Sequence, residues 1–197
     1  MPRQARGKIL YDGCFAHVYS RAFNNQLIFC DEEDFEFFKD LIKKAKRSGN
    51  FRLHHYCLMN THFHMLVSLE RLELFSKGLK QVKEQYATRF KRKYGRKGPV
   101  WWGRFGSQLI ENERYLYACG LYIEMNPVEA GLVNRAEGWK YSSSRHYFSG
   151  EKEDLIDDYQ RPSFGTAQTL MEGLNVGRGS YIGTSSFLLN HGSPCPT

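Results

Sequence analysis

The sequence predicts an α+β sandwich in which helices lie against one face of an antiparallel sheet. Three observations lead there. Strand-like runs and runs with helical spacing follow one another as β, α, β, β, α, β, α. The two central strands are separated by only two residues, as in a hairpin. With 41% hydrophobic and 15% aromatic residues in 197, the chain has the material for one core.

The elements come in order. Residues 15–21 (Phe-Ala-His-Val-Tyr-Ser-Arg) alternate as a strand does. Asn24-Asn25 is a turn, and 27–29 is a short apolar run. Asp31 stands as the cap of a helix whose Phe35, Phe38, Leu41 and Ile42 share a face, and Ser48-Gly49-Asn50 ends it. Residues 51–59 and 62–68 read as adjacent strands joined at Asn60-Thr61. A long amphipathic helix runs from about Leu72 to Tyr94, stopped by Gly95 and a Gly-Pro loop. Residues 104–110 form another strand. From 113 to 125 the spacing is helical again, with Leu116, Cys119, Gly120 and Ile123 as its buried stripe. Pro127 is expected to close that helix, because proline disfavours helical geometry in the residue before it. After Ser149 the chain turns acidic over 151–158, then rich in Gly and Ser. One domain is therefore expected over 1–149 and an extension, poorly ordered or a small add-on, over 150–197.

Composition excludes several classes. No apolar run approaches the roughly 18 residues of a membrane span. Residues 1–13 carry Arg3, Arg6 and Lys8 without an apolar block, so no secretory signal is expected. The five cysteines (Cys14, Cys30, Cys57, Cys119, Cys195) are odd in number and contain no C-x-x-C pair, which argues against a disulfide scaffold and a zinc ribbon. The chain reads as reduced and cytoplasmic.

The net charge of +7 is concentrated. Between Lys77 and Arg104 stand ten basic residues and one acid, Glu84, a local +9 that leaves −2 for the rest. Such a run can be a solvated helix face. Here, however, Phe90, Tyr94, Trp101 and Trp102 are interleaved with it, and cations beside rings suit a polyanion with stackable bases. The candidate DNA contacts are Lys83, Arg89, Lys91, Arg92, Lys93, Arg96, Lys97, Trp101, Trp102 and Arg104.

His62-Phe63-His64 is the sharpest local feature. On a strand its two imidazoles point to the same face, where they can hold two sites of a divalent cation or simply satisfy hydrogen bonds. A zinc site would want a further ligand, and His54, His55 and Cys57 in the preceding strand are the nearest. The helix over 113–125 carries Tyr115, Tyr117 and Tyr122. Ala118, Tyr122 and Asn126 share one face by spacing, expected to lie away from the Leu116–Ile123 stripe. Tyr122 is either a packing residue or a nucleophile. A phenol with an ordinary pKa near ~10 attacks only a polarised target or with a base nearby. A cation on His62 and His64 would polarise a phosphate, with the Asn126 amide oxygen completing its shell.

The string Asn126-Pro127-Val128-Glu129-Ala130-Gly131-Leu132-Val133, preceded by Tyr122, resembles the signature of single-tyrosine HUH transposases, the REP-associated tyrosine transposases above all. His17-Val18-Tyr19-Ser20-Arg21 resembles the first-strand motif, and Met59-Asn60-Thr61-His62-Phe63-His64 the metal-binding strand, with Met59-Asn60-Thr61 where Met-Pro-Asn is common. Tyr94-Gly95-Arg96-Lys97-Gly98, Trp101-Trp102-Gly103-Arg104-Phe105 and Trp139-Lys140-Tyr141-Ser142-Ser143 resemble the basic loop, the following strand and the C-terminal motif. The resemblance spans about residues 8–148. It implies a ferredoxin-like α+β sandwich of the HUH endonuclease type. It implies magnesium or manganese on His62 and His64, with Asn126 as an amide ligand. Tyr122 would attack a single-stranded or hairpin DNA phosphodiester, leaving a 5′-phosphotyrosine and a free 3′-hydroxyl. The partners implied are hairpin or repeat-associated DNA in the cytoplasm, at the nucleoid, with no membrane, for a monomer or homodimer. Two other readings stand beside it: a domesticated module that binds hairpin DNA without cutting, and a zinc-stabilised RNA-binding protein using Cys57 or His54.

Overall fold

A computed structural model of the chain describes residues 10–49 and 51–159. Its elements are β1 (Phe15–Arg21), α1 (Glu32–Gly49), β2 (Phe51–Met59), β3 (His62–Leu69), α2 (Leu72–Tyr94), β4 (Gly106–Ile110), α3 (Glu113–Glu129) and a short α4 (Ser144–Phe148). The strands form one antiparallel sheet in the order β2-β3-β1-β4. This is the expected α+β fold. The Asp31 cap is in place, its Oδ1 accepting from the Asp34 amide at 3.1 Å. Met59 faces His62 across the Asn60-Thr61 turn.

Strand alternation divides the sheet into two unlike faces. Ala16, Val18, Leu53, Tyr56, Leu58, Phe63, Met65, Val67 and Leu69 join α1 and α2 in the main core, where Phe29, Phe38, Phe75, Tyr86 and Phe90 are fully buried. The opposite face carries Phe15, His17, Tyr19 and Arg21 of β1 against His62, His64 and Leu66 of β3. There α3 packs, closing a smaller cluster of Cys57, Met59, Leu66, Ile110, Leu116, Cys119 and Ile123. The sandwich thus has a third layer: α1 and α2 share one face as expected, and α3 covers the other.

Two further details differ from expectation. Pro127 lies inside α3, which runs on to Glu129. Proline removes the N–H owed to the Ile123 carbonyl. The Asn126 side chain fills in, its Nδ2 donating to the carbonyls of Tyr122 (2.7 Å) and Ile123 (3.4 Å). The segment after Ser149 belongs to the fold at least as far as residue 159: Leu155 and Ile156 are buried in the main core. The Asp157 amide donates to the Leu53 carbonyl, while its carboxylate accepts from the Leu53 amide. Together with the Leu58–Tyr141 and Ser143–Tyr56 backbone bonds, this covers the outer edge of β2. Residues 160–197 of the expected extension lie outside the described residues.

Candidate active site

The strand and the tyrosine helix meet on the α3 face. The His62 and His64 rings lie 5.1 Å apart between centroids, nearly perpendicular. The Tyr122 ring is 5.7 Å from His64 and 6.0 Å from His17, edge-on to both. Tyr122 therefore does not point away from the buried stripe. It flanks that stripe, half-buried against the smaller cluster, because it stands three residues from Cys119 and so shares its side of the helix. Asn126 lies one turn further on.

Each Nδ1 of the H-x-H pair has a polar neighbour. His64 Nδ1 and His17 Nε2 are 2.9 Å apart, and Thr61 Oγ1 is 2.9 Å from His62 Nδ1. In the tautomer with each Nδ1–H donating to its partner, Nε2 of both rings is left as the acceptor. Burial pushes His17 and His62 down to about 4 and His64 well below its ordinary value, so all three imidazoles are neutral at neutral pH. His17 is 2% exposed and its Nδ1 has no hydrogen-bond partner among the described residues. Burial pushes the Tyr122 phenol up to about 12, with Glu129 adding to the shift and the Asn126 amide opposing it.

In donor chemistry the set suits a divalent cation: two neutral imidazoles on β3, and on α3 the Asn126 amide, whose nitrogen end is committed to backbone carbonyls so that its oxygen is the end left to ligate. Among the described residues no cluster of three or more His, Cys, Asp or Glu is arranged for a metal. The candidate extra zinc ligands are engaged elsewhere. His54 bonds the Asp157 carbonyl and Ser68, His55 lies 2.7 Å from both Glu124 and the Tyr159 hydroxyl, and burial keeps the Cys57 thiol protonated.

The His55 contact also sets the height of α3. Glu124 is fully buried, takes a hydrogen bond from Ser143, and holds His55 against the helix. A Cβ on Gly120 would stand 2.7 Å from His55 Nε2, so glycine is what lets the helix come this close. Gly106 acts likewise beneath the Tyr19 ring, which lies 6.0 Å from His64. Spacing alone gave no sign of Thr61 or Glu124 as supports, and His17 stood out only as part of a strand motif.

The basic segment divides. Lys93 reaches Asp31, Glu33 and Asp34, and Arg89 reaches Glu33. Burial opposes the Lys93 charge, but its acidic partners raise its pKa above the ordinary value. Lys83 is buried, donating to Ser20 and the Gly103 carbonyl, and Trp101 is packed among Phe38, Phe63 and Tyr86. These four residues hold the fold together. Arg92, Arg96, Lys97, Trp102 and Arg104 are exposed and Lys91 partly so. An open basic groove of about 610 Å³ lies on the α2 side, between that helix and residues 101–105, rather than beside the histidines.

Residues 11–126 match the sequence model of the family described as transposase, IS200 like. Among solved structures, a REP-associated tyrosine transposase bound to a REP hairpin superposes with a TM-score of 0.63 at 22% identity, over 84% of this chain and 98% of that one. At that identity the likeness speaks for the fold. A transposase-like protein of Deinococcus radiodurans r1 superposes with a TM-score of 0.42 at 17% identity, over 62% of this chain and 96% of that one. No curated protein matches the chain. No helix among the described residues is long and apolar enough to cross a membrane.

Proposed function

The chain is a member of the IS200-like transposase family, and from that premise we propose that it cleaves and rejoins single-stranded DNA, hairpin or repeat-associated, through Tyr122. The observation that carries this reading is the meeting of three rings from two elements of one chain, His62 and His64 on β3 with Tyr122 on α3. The hairpin bound by the structurally similar transposase supports hairpin DNA as the partner.

In this mechanism Tyr122 Oη forms a bond to phosphorus as the bond to the 3′-oxygen breaks. The products are a 5′-phosphotyrosine and a strand ending in a 3′-hydroxyl, which takes up the proton the phenol gives up. Attack of a 3′-hydroxyl on the phosphotyrosine reverses the step and needs no ATP. His62 and His64, with the Asn126 amide oxygen, would hold a divalent ion, which would supply polarisation of the phosphate and offset charge on the leaving oxygen. The ion would be magnesium or manganese. His17 and Thr61 hold the two rings in the ligating tautomer. Glu124 and His55 hold α3, and with it Tyr122, at the sheet.

The test is a denaturing gel of the protein with labelled single strands from the flanks of its own gene, with and without manganese. A covalent protein–DNA band that needs both the metal and the Tyr122 hydroxyl is expected. A band undiminished in Tyr122→Phe would contradict the choice of nucleophile, with Tyr115 and Tyr117 next to examine.

A further inference from the structure

We infer that Trp102, with Phe23 and Arg21, is a stacking platform for one base of the single strand beside the cleaved bond. This inference rests on the DNA-cleaving reading above. Trp101 and Trp102 are neighbours with opposite fates. Trp101 turns into the main core, its ring 6.0 Å from Phe38 and 5.7 Å from Phe63, whereas Trp102 meets Arg21, the register partner of His62, on the histidine side of the sheet. There it stays 49% exposed although the core beneath is already closed.

The exposed ring is held in place. The Trp102 amide donates to the Arg21 carbonyl at 2.9 Å, and an Ala22–Trp101 bridge extends the β4 side of the sheet past Gly106. Phe23 stacks on the Trp102 ring at 5.4 Å and 20°, and the Arg21 guanidinium sits 5.1 Å from its centroid. Asn24 and Asn25, both at positive φ, turn the chain so that Phe23 stands there.

Position relative to the candidate metal site gives the surface its meaning. Arg21 is directly opposite His62 in the β1–β3 register. Trp102 lies on the other side of Arg21, so His62, Arg21 and Trp102 stand in a row across the sheet. At a strand spacing of about 4.8 Å, that row is roughly 10 Å long. A phosphate at His62 thus places the base of that nucleotide, or of the next, within reach of the indole, with the guanidinium between them to meet a phosphate. A flat aromatic surface beside a cation, continuous with a phosphate-cutting site, selects a nucleobase over an aliphatic or acidic partner. Such stacking tolerates any base, so the platform orders the strand rather than reading its sequence.

The test measures binding in EDTA, where the strand is held but not cut, by fluorescence anisotropy of a labelled hairpin oligonucleotide with single-stranded tails from the flanks of the gene. An abasic site is moved through the tails position by position. The wild-type protein is expected to bind about 5- to 100-fold more weakly when one position next to the cleaved bond is abasic. Trp102→Ala should lose a similar factor on intact DNA and then become indifferent to the abasic site there, while Trp102→Tyr keeps most of the affinity. The salt slope should stay unchanged in Trp102→Ala and fall by about one in Arg21→Gln. Losses from Trp102→Ala and the abasic site that multiply at every position would overturn the platform, as would unchanged affinity in Trp102→Ala. If the wild-type protein fails to bind the strand at all, the DNA-cleaving reading falls and takes the platform with it, so the two failures are told apart.

Discussion

The two faces of the one sheet are built from alternate residues of the same strands, yet they answer to different demands. Towards α1 and α2, β3 presents Phe63, Met65, Val67 and Leu69, which interlock with Phe38 and Trp101 and contain almost nothing polar. Towards α3 it presents His62 and His64, beside His17, Tyr19, Tyr122 and the buried Glu124–His55 pair. Burying neutral imidazoles stabilises little. The first face therefore carries the fold so that the second can hold polar groups in fixed places. A one-residue slip of β3 would exchange the faces and destroy both at once.

Phe63 and His64, adjacent in sequence and opposite in orientation, give the largest contrast. Phe63→Ala should lower the unfolding free energy by about 3–5 kcal/mol in urea denaturation, the loss typical of a buried aromatic. His64→Ala should shift the urea midpoint far less and abolish the covalent DNA band, while DNA binding in low salt largely survives. Equal stability losses for the two would erase the distinction.

The height of the tyrosine helix is the next point to press. Gly120→Ala improves helix propensity by about 1 kcal/mol in isolation, but its methyl meets the His55 ring. Single-turnover cleavage should fall by more than tenfold with the circular dichroism spectrum unchanged. Cleavage at the wild-type rate would show that α3 is not held by this contact.

His17 sharpens the comparison from within the polar face. His17→Ala should weaken manganese binding, read by calorimetry without DNA, by about 10- to 100-fold, the usual effect of losing a group that orients a ligand. His17→Gln, whose amide can reach His64 Nδ1, should recover part of it. Unchanged affinity in His17→Ala would remove it from the site.

The remaining contrast concerns pH. Burial holds His54 at about 4, against about 6.5 when unfolded. Below about pH 6.5 the unfolded chain takes a proton that the folded chain refuses until about pH 4. Stability is therefore complete above that window and lost as the pH falls through it, by up to about 1.4 kcal/mol per unit for this residue. His54→Gln should flatten that acid limb in thermal melts, and an identical pH profile would contradict the assignment.

Much of this was legible in the sequence. The alternation of β1, the Asn60-Thr61 hairpin, the Asp31 cap and the H-x-H pair are local patterns, and the structure has each at the expected residues. What escaped depends on partners distant in the chain. The third layer was hidden because α3 is half-buried on several sides, so its stripe does not reveal which side meets the sheet. The run from Lys77 to Arg104 showed its charge but not that Asp31, Glu33 and Asp34 neutralise Arg89 and Lys93. Trp101 and Trp102 look alike in sequence and part only when the Ala22 bridge sets their alternation. Pro127 reads as a stop because the rescue by the Asn126 side chain is invisible to propensity.

The central claim is that the rings of His62 and His64 and the phenol of Tyr122 work as one site inside a single chain. Mixing Tyr122→Phe protein with His64→Ala protein in manganese, with labelled single-stranded DNA, tests it directly. No covalent protein–DNA band should form at any ratio, because neither chain holds a complete set. A band restored in the mixture would mean that one chain's phenol serves another chain's histidines, and the single-chain site would be contradicted.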